Sequence, residues 1–159
     1  MNPHDLISLG AATLGESGAS PMEPRIRPIW SDAQVAGPAY AVMCAAADNL
    51  AVHAAVAEAP SGSVLCVGFE SSEARGYRGE VLTTGAQARG IIGLVIDGEV
   101  RDIDALERLT FPVFATGIAL RGSDKAQPGS IGAWADVGGV RVYTGDVVVG
   151  DRDGVVVFP

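Results

Sequence analysis

The chain has 159 residues, a formal net charge of −8, 48% hydrophobic residues and 21 glycines. That length suits one domain with a sizeable core. The acidic balance and the absence of any Lys/Arg run argue against a nucleic-acid groove, and no apolar run is long enough to span a membrane. The N-terminus, MNPHDLISLGAA, has no basic region followed by a long apolar core. A signal peptide is therefore not expected, and a cytoplasmic location is. Cys44 and Cys66 lie in apolar runs and read as buried free thiols, with a disulfide left open.

Asp5 to about Gly15 reads as one short helix, with Pro3 near its start and Leu6, Ile7, Leu9 and Leu14 along an apolar side. Residues 15–28 are rich in Gly, Ser and Pro and read as loop. In MEPRIRPIW, Arg25 and Arg27 fall on one side of an extended segment and Ile26 on the other, with solvated arginines as the default. Residues 35–45 read as a strand, and 49–58 as a helix with Asp48 as its N-cap. His53 lies in that helix and reads as a packed or capping imidazole in preference to a catalytic one.

Residues 62–67 form a second apolar strand, and 68–79, GFESSEARGYRG, a polar loop. The stretch GEVLTTGAQARGIIGLVIDGEVRDIDAL follows. Its pattern predicts a helix opening at Glu80, a buried strand over 91–96, a turn at Asp97-Gly98, and a helix over 102–109. Residues 111–115 read as a strand and 117–130 as a long irregular segment holding Arg121, Asp124 and Lys125. The tail alternates β runs with Gly-Asp and Asp-Gly turns, which predicts an antiparallel β unit.

Few chemistries are open to this residue set. There is no Gly-rich phosphate loop, no GxSxG elbow, no CxxC or HExxH, and only two histidines and one lysine. A Schiff base would rest on Lys125 alone, in a polar loop that favours the protonated amine. What stands out is an acid, Glu80, then twenty residues, then Arg101-Asp102 just beyond a predicted strand end, where open α/β sheets bind ligands. Read alone, Asp102 is either a catalytic group or a helix-terminal acid beside an exposed cation, and Glu80 an ordinary first-turn acid.

Taken together, IRPIW, VAGPAYAV, DNLAVHAAVA, SGSVLCV, the 79–106 stretch, FPVFATG and GGVRVYTGDVVVGDRDGVVVFP resemble the family of the regulator of ribonuclease activity A and 4-hydroxy-4-methyl-2-oxoglutarate aldolase. The resemblance covers most of the chain. It implies a single α/β swivelling-type α/β/β domain with a central sheet, flanking helices and a C-terminal antiparallel β unit. It also implies a homotrimer or hexamer with sites at subunit interfaces.

By that resemblance Asp102 binds magnesium or manganese, and Arg101 holds the substrate's carboxylate or keto oxygen. The backbone at Gly79, Val81 and Leu82 holds the carboxylate of a small 2-oxo acid. Glu80 supports the metal's water shell and moves a proton. The implied reaction is retro-aldol cleavage or decarboxylation through a pyruvate enolate, whose charge a hard cation, an arginine fork and a helix N-terminus together disperse. A non-enzymatic regulator that binds a ribonuclease, or a divergent lyase acting on another oxo acid, is the alternative.

The pattern is not complete. Glu80 stands where the aldolases usually have aspartate, and Arg78 where an apolar residue is common. Ala105 stands where a further acid often follows. The sequence ends at Pro159, so no acid from a C-terminal extension is expected at a neighbour's site.

Overall fold

The computed structural model describes residues 1–71 and 73–159. Ser72, in the segment expected to be loop, lies outside the described residues. The N-terminal segment forms two helices where the sequence suggests one, α1 (Pro3–Leu9) and α2 (Ala11–Glu16), broken at Gly10. A reciprocal cap starts α1: Asn2 Oδ1 accepts from Asp5 N, and the Asp5 carboxylate accepts from Asn2 N. Two strands of two residues each, β1 (Ser20–Pro21) and β2 (Arg27–Pro28), fall in the segment expected to be loop. Ile26 is buried beside exposed Arg25 and Arg27, as the alternation predicts. Arg25 is not merely solvated: it makes a two-pronged pair with Asp97.

The next elements are β3 (Val35–Cys44), α3 (Leu50–Glu58), β4 (Val64–Phe69), α4 (Glu80–Ala88), β5 (Gly93–Ile96), β6 (Glu99–Val100), α5 (Ile103–Arg108) and β7 (Val113–Ala115). The 117–130 segment holds β8 (Gly117–Ile118) and leads into β9 (Ser130–Ile131). The tail gives β10 (Trp134–Val137), β11 (Val140–Tyr143), β12 (Val147–Asp151) and β13 (Gly154–Phe158).

Strands β3, β4, β5 and β7 run parallel and adjacent, with β12, β13 and β1 continuing the sheet antiparallel on one side and β2 on the other. The predicted C-terminal β unit is thus divided. The β12–β13 hairpin joins the central sheet, whereas β10 and β11 pair only with each other.

Alternation along the strands builds two cores. Leu65, Val67, Leu94 and Ile96 face α3, α4 and α5, with Val52, Ala86 and Leu106. Val64, Cys66 and Val95 face the β10–β11 side, with Ala135, Val137 and Val142. Burial on both faces explains why these strands are apolar throughout rather than alternating. Cys44 and Cys66 are free and buried, and burial pushes both thiols up, Cys44 to about 12. No helix among the described residues is long and apolar enough to cross a membrane.

The two β layers meet closely at Gly68, where an added Cβ would overlap the Asp136 carbonyl of β10. Backbone cannot step aside as a flexible side chain can. Gly68→Ala should therefore destabilise the fold by about 1–3 kcal/mol, read from the urea unfolding midpoint. An unchanged midpoint would contradict this packing of β10 on β4.

Candidate active site

The parallel strands aim their C-terminal ends at one edge, and α3, α4 and α5 all start there. The twenty residues between Glu80 and Arg101 run out along α4 and return along β5, which brings Arg101-Asp102 back beside the start of α4. A cavity of about 210 Å³ opens at this edge. Its wall includes Gly79, Val81, Leu82, Arg101 and Asp102 from the predicted set. Glu80 is not part of that wall. Its exposed carboxylate lies 3.8 Å from Arg108 Nη2 on α5.

Asp102 takes up a left-handed backbone (φ 61°) and makes no cap on its own helix α5. This departs from its reading as an ordinary helix-terminal acid. Its Oδ2 instead accepts from Glu80 N at 3.0 Å, across 22 positions, and so caps α4. Gly79 permits that approach, because a Cβ there would overlap the Asp102 carboxylate. The backbone is tied at the same point, Arg101 N donating to Arg78 O at 2.9 Å.

Among the described residues, the N–H groups of Val81 and Leu82 have no acceptor. They are the orphan donors of the first helical turn, and they carry the positive end of its dipole. Arg101 lies alongside, with Nη1 donating to Leu120 O at 3.2 Å and its remaining donors uncommitted. Two unpaired N–H groups and a guanidinium suit a carboxylate.

The rest of the wall was less legible. Asn49, not Asp48, is the cap residue of α3, and its side chain is buried, with Nδ2 donating to Tyr77 O. His53 and Lys125 also line the cavity. Burial, then the charges of Lys125 and Arg78, hold His53 below the usual imidazole value. Arg78 is buried, and burial pulls its guanidinium down to about 9.

Asp48 still serves the α3 start, with Oδ1 accepting from Leu50 N, while Oδ2 accepts from Ala126 N and Gln127 N. It thereby fixes the segment that carries Lys125.

Comparison with known proteins agrees with this architecture. A model of the RraA-like family, described as Aldolase/RraA, matches residues 11–157. The chain belongs to the RraA-like family. A Halalkalibacterium halodurans protein named "Putative 4-hydroxy-4-methyl-2-oxoglutarate aldolase" is 39% identical over 142 residues, covering 89% of this chain and 68% of that protein. A Geobacillus kaustophilus structure described as an S-adenosylmethionine: 2-dimethylmenaquinone methyltransferase is 30% identical, covers 95% of this chain and 92% of its own, and superposes with a TM-score of 0.82. The RNA-processing inhibitor RraA from Thermus thermophilis shares the fold, with a TM-score of 0.81 at 24% identity over 100% of this chain and 93% of its own. The RraA-like fold thus includes proteins named as lyases and as inhibitors.

Asp48 generates a prediction. Burial pushes its carboxyl up, but three N–H bonds and the Lys125 charge outweigh that and leave it lowered. A lowered folded value means stability that is present above the unfolded carboxyl value of about 3.9 and lost as pH falls through the folded one. Asp48→Ala should cost about 1–3 kcal/mol at pH 7 through its orphaned N–H partners, and remove that part of the acid dependence. Denaturant melts from pH 7 to pH 3 check both; parallel curves for variant and wild type would contradict it.

Proposed function

We propose that this chain is a divalent-metal-dependent carbon–carbon lyase acting on a small 2-oxo acid, by retro-aldol cleavage or decarboxylation. One observation carries the reading: the Arg101-Asp102 pair and the two unpartnered N–H groups of α4 border the same cavity. The aldolase names of relatives support it.

In this reading the substrate carboxylate accepts from Val81 and Leu82 N–H, and Arg101 holds the keto oxygen. Charge that moves onto the keto oxygen as the C–C bond breaks meets a donor already in position, so little reorganisation accompanies the step. Glu80, whose exposed carboxylate lies outside the cavity wall and is only loosely paired with Arg108, is the proton carrier in this reading.

The donor set fits a hard cation. No group of three or more His, Cys, Asp or Glu side chains that could hold a metal exists among the described residues. Asp102, however, offers one oxygen, Oδ1, with no partner among those residues. Magnesium and manganese bind through one or two carboxylates while keeping several waters, so one ligand from this chain suffices. When bound, the ion supplies a Lewis acid for the 2-oxo acid's oxygens.

Exposed apolar Val81 (89%) on the cavity wall, with exposed Leu120 (84%) and Ile118 (61%) on the β8 segment, supports assembly, since exposed apolar surface is a common mark of an interface. We infer a homotrimer or hexamer with the cavity at the subunit boundary.

Pyruvate release from oxaloacetate and 4-hydroxy-4-methyl-2-oxoglutarate tests the enzyme. Turnover should vanish with chelator, return with magnesium or manganese, and fall at least about 100-fold in Arg101→Ala and Asp102→Asn. Metal-independent turnover, or variants as active as wild type, would overturn the site. No release from either substrate would favour the regulator reading. Separately, Leu120→Asp should shift the protein from trimer or hexamer to monomer in sedimentation velocity; an unchanged assembly would remove Leu120 from the interface.

A further inference from the structure

Arg78 is the most unusual side chain in the molecule. It is 2% exposed, yet among the described residues neither Nη1 nor Nη2 has a hydrogen-bond partner. Only Nε is used, donating to Thr83 Oγ1 at 3.3 Å, and the guanidinium lies over the Phe111 ring at 5.0 Å from its centroid. No carboxylate pairs with it among the described residues. A buried cation without a counter-charge is expensive, and an apolar side chain of similar size is often as good or better for folding. Packing alone therefore gives no reason for an arginine here.

Its position gives one. Arg78 lines the cavity immediately before Gly79, where α4 begins. Lys125 and His53 share that part of the wall, and Asn49 Oδ1 beside them is likewise buried and unpartnered. Of the cavity's residues only Asp102 is acidic, and one of its oxygens is taken by Glu80 N. In a chain of net charge −8, this wall gathers cationic groups around donors with no acceptor among the described residues.

We propose that Arg78 is a specificity-determining residue that holds a second anionic group on the substrate, a carboxylate or phosphate remote from the 2-oxo acid head. The head sits at Val81, Leu82 and Arg101, so this assignment rests on the lyase reading. The free edge of the guanidinium offers two parallel donors to one oxyanion, and the Lys125 amine adds charge from the opposite segment. Asn49 Oδ1 accepts from a hydroxyl on the intervening carbons. The site thereby selects dianionic over monoanionic oxo acids.

Binding, rather than turnover, tests this. Calorimetric titration of the assembled protein, with magnesium and again in chelator, would compare 2-oxobutyrate, 2-oxoglutarate and 3-phosphohydroxypyruvate. These share one head and carry no second charge, a carboxylate, and a phosphate. Wild type should bind at least one dianion about tenfold to hundredfold more tightly than 2-oxobutyrate, and whichever gains more identifies the tail. Arg78→Met should erase that preference and leave 2-oxobutyrate affinity unchanged. Arg78→Lys, which keeps the charge without the fork, should retain part of it. Equal binding of all three by wild type, or no binding of any, would overturn the proposal, as would a preference that survives Arg78→Met with its melting temperature intact. Arg101→Ala separates the two readings: loss of 2-oxobutyrate binding there supports the head site whatever Arg78 does.

Discussion

The hydrogen bond from Glu80 N to Asp102 Oδ2 is the contact on which the site depends. It joins the start of α4 to the corner where β6 gives way to α5, and Arg101 N to Arg78 O ties the two backbones at the same point. A helix needs acceptors for its first N–H groups, and here a distant carboxylate supplies one and leaves the next two free. The same bond orients the carboxylate and leaves its second oxygen without a partner among the described residues. In the proposed reading, one capping interaction thus sets the anion-binding N–H groups and the cation's carboxylate side by side.

Electrostatics sets the second constraint. An acidic protein repels the proposed anionic substrate at long range, so affinity for it would have to come from local charge. The cavity supplies it through Arg101, Arg78, Lys125 and the α4 terminus, all on segments that leave the C-terminal ends of parallel strands. Rigid parts position these groups: β4 and β5 are buried on both faces, and Asp48 clamps the Lys125 segment to α3. The loops carry chemistry while the sheet carries precision, as in other open α/β folds.

Much of this was legible in the sequence. The Val, Ile and Leu runs of β4 and β5 are buried on both faces, and such runs are hard to mistake. The spacing from Glu80 to Arg101-Asp102 is that of one helix and one returning strand, which is why a local pattern brought distant residues to one edge. The strand starts were less clear: β4 begins at Val64 and β5 at Gly93, each two residues later than apolar content suggests. Gly10 divided a helix that its leucines implied was continuous. Other features had no local signal. Asp102 caps a helix 22 positions away, which no pattern of neighbours records. Arg78 falls in a stretch read as polar loop, and only the resemblance, which puts an apolar residue at that place, hinted at the burial the structure shows. Glu80 was grouped with the site by spacing and by the resemblance; its exposed carboxylate lies 3.8 Å from Arg108 Nη2, outside the cavity wall.

The central claim is that Asp102 and the α4 terminus form one oxo-acid site. A crystal structure of the protein with manganese and oxalate, an unreactive mimic of the pyruvate enolate, tests it most directly. Anomalous scattering should locate manganese on Asp102 Oδ1, with oxalate bridging it to Arg101 and the N–H groups of Val81 and Leu82. Manganese elsewhere, or oxalate bound away from α4, would contradict the account.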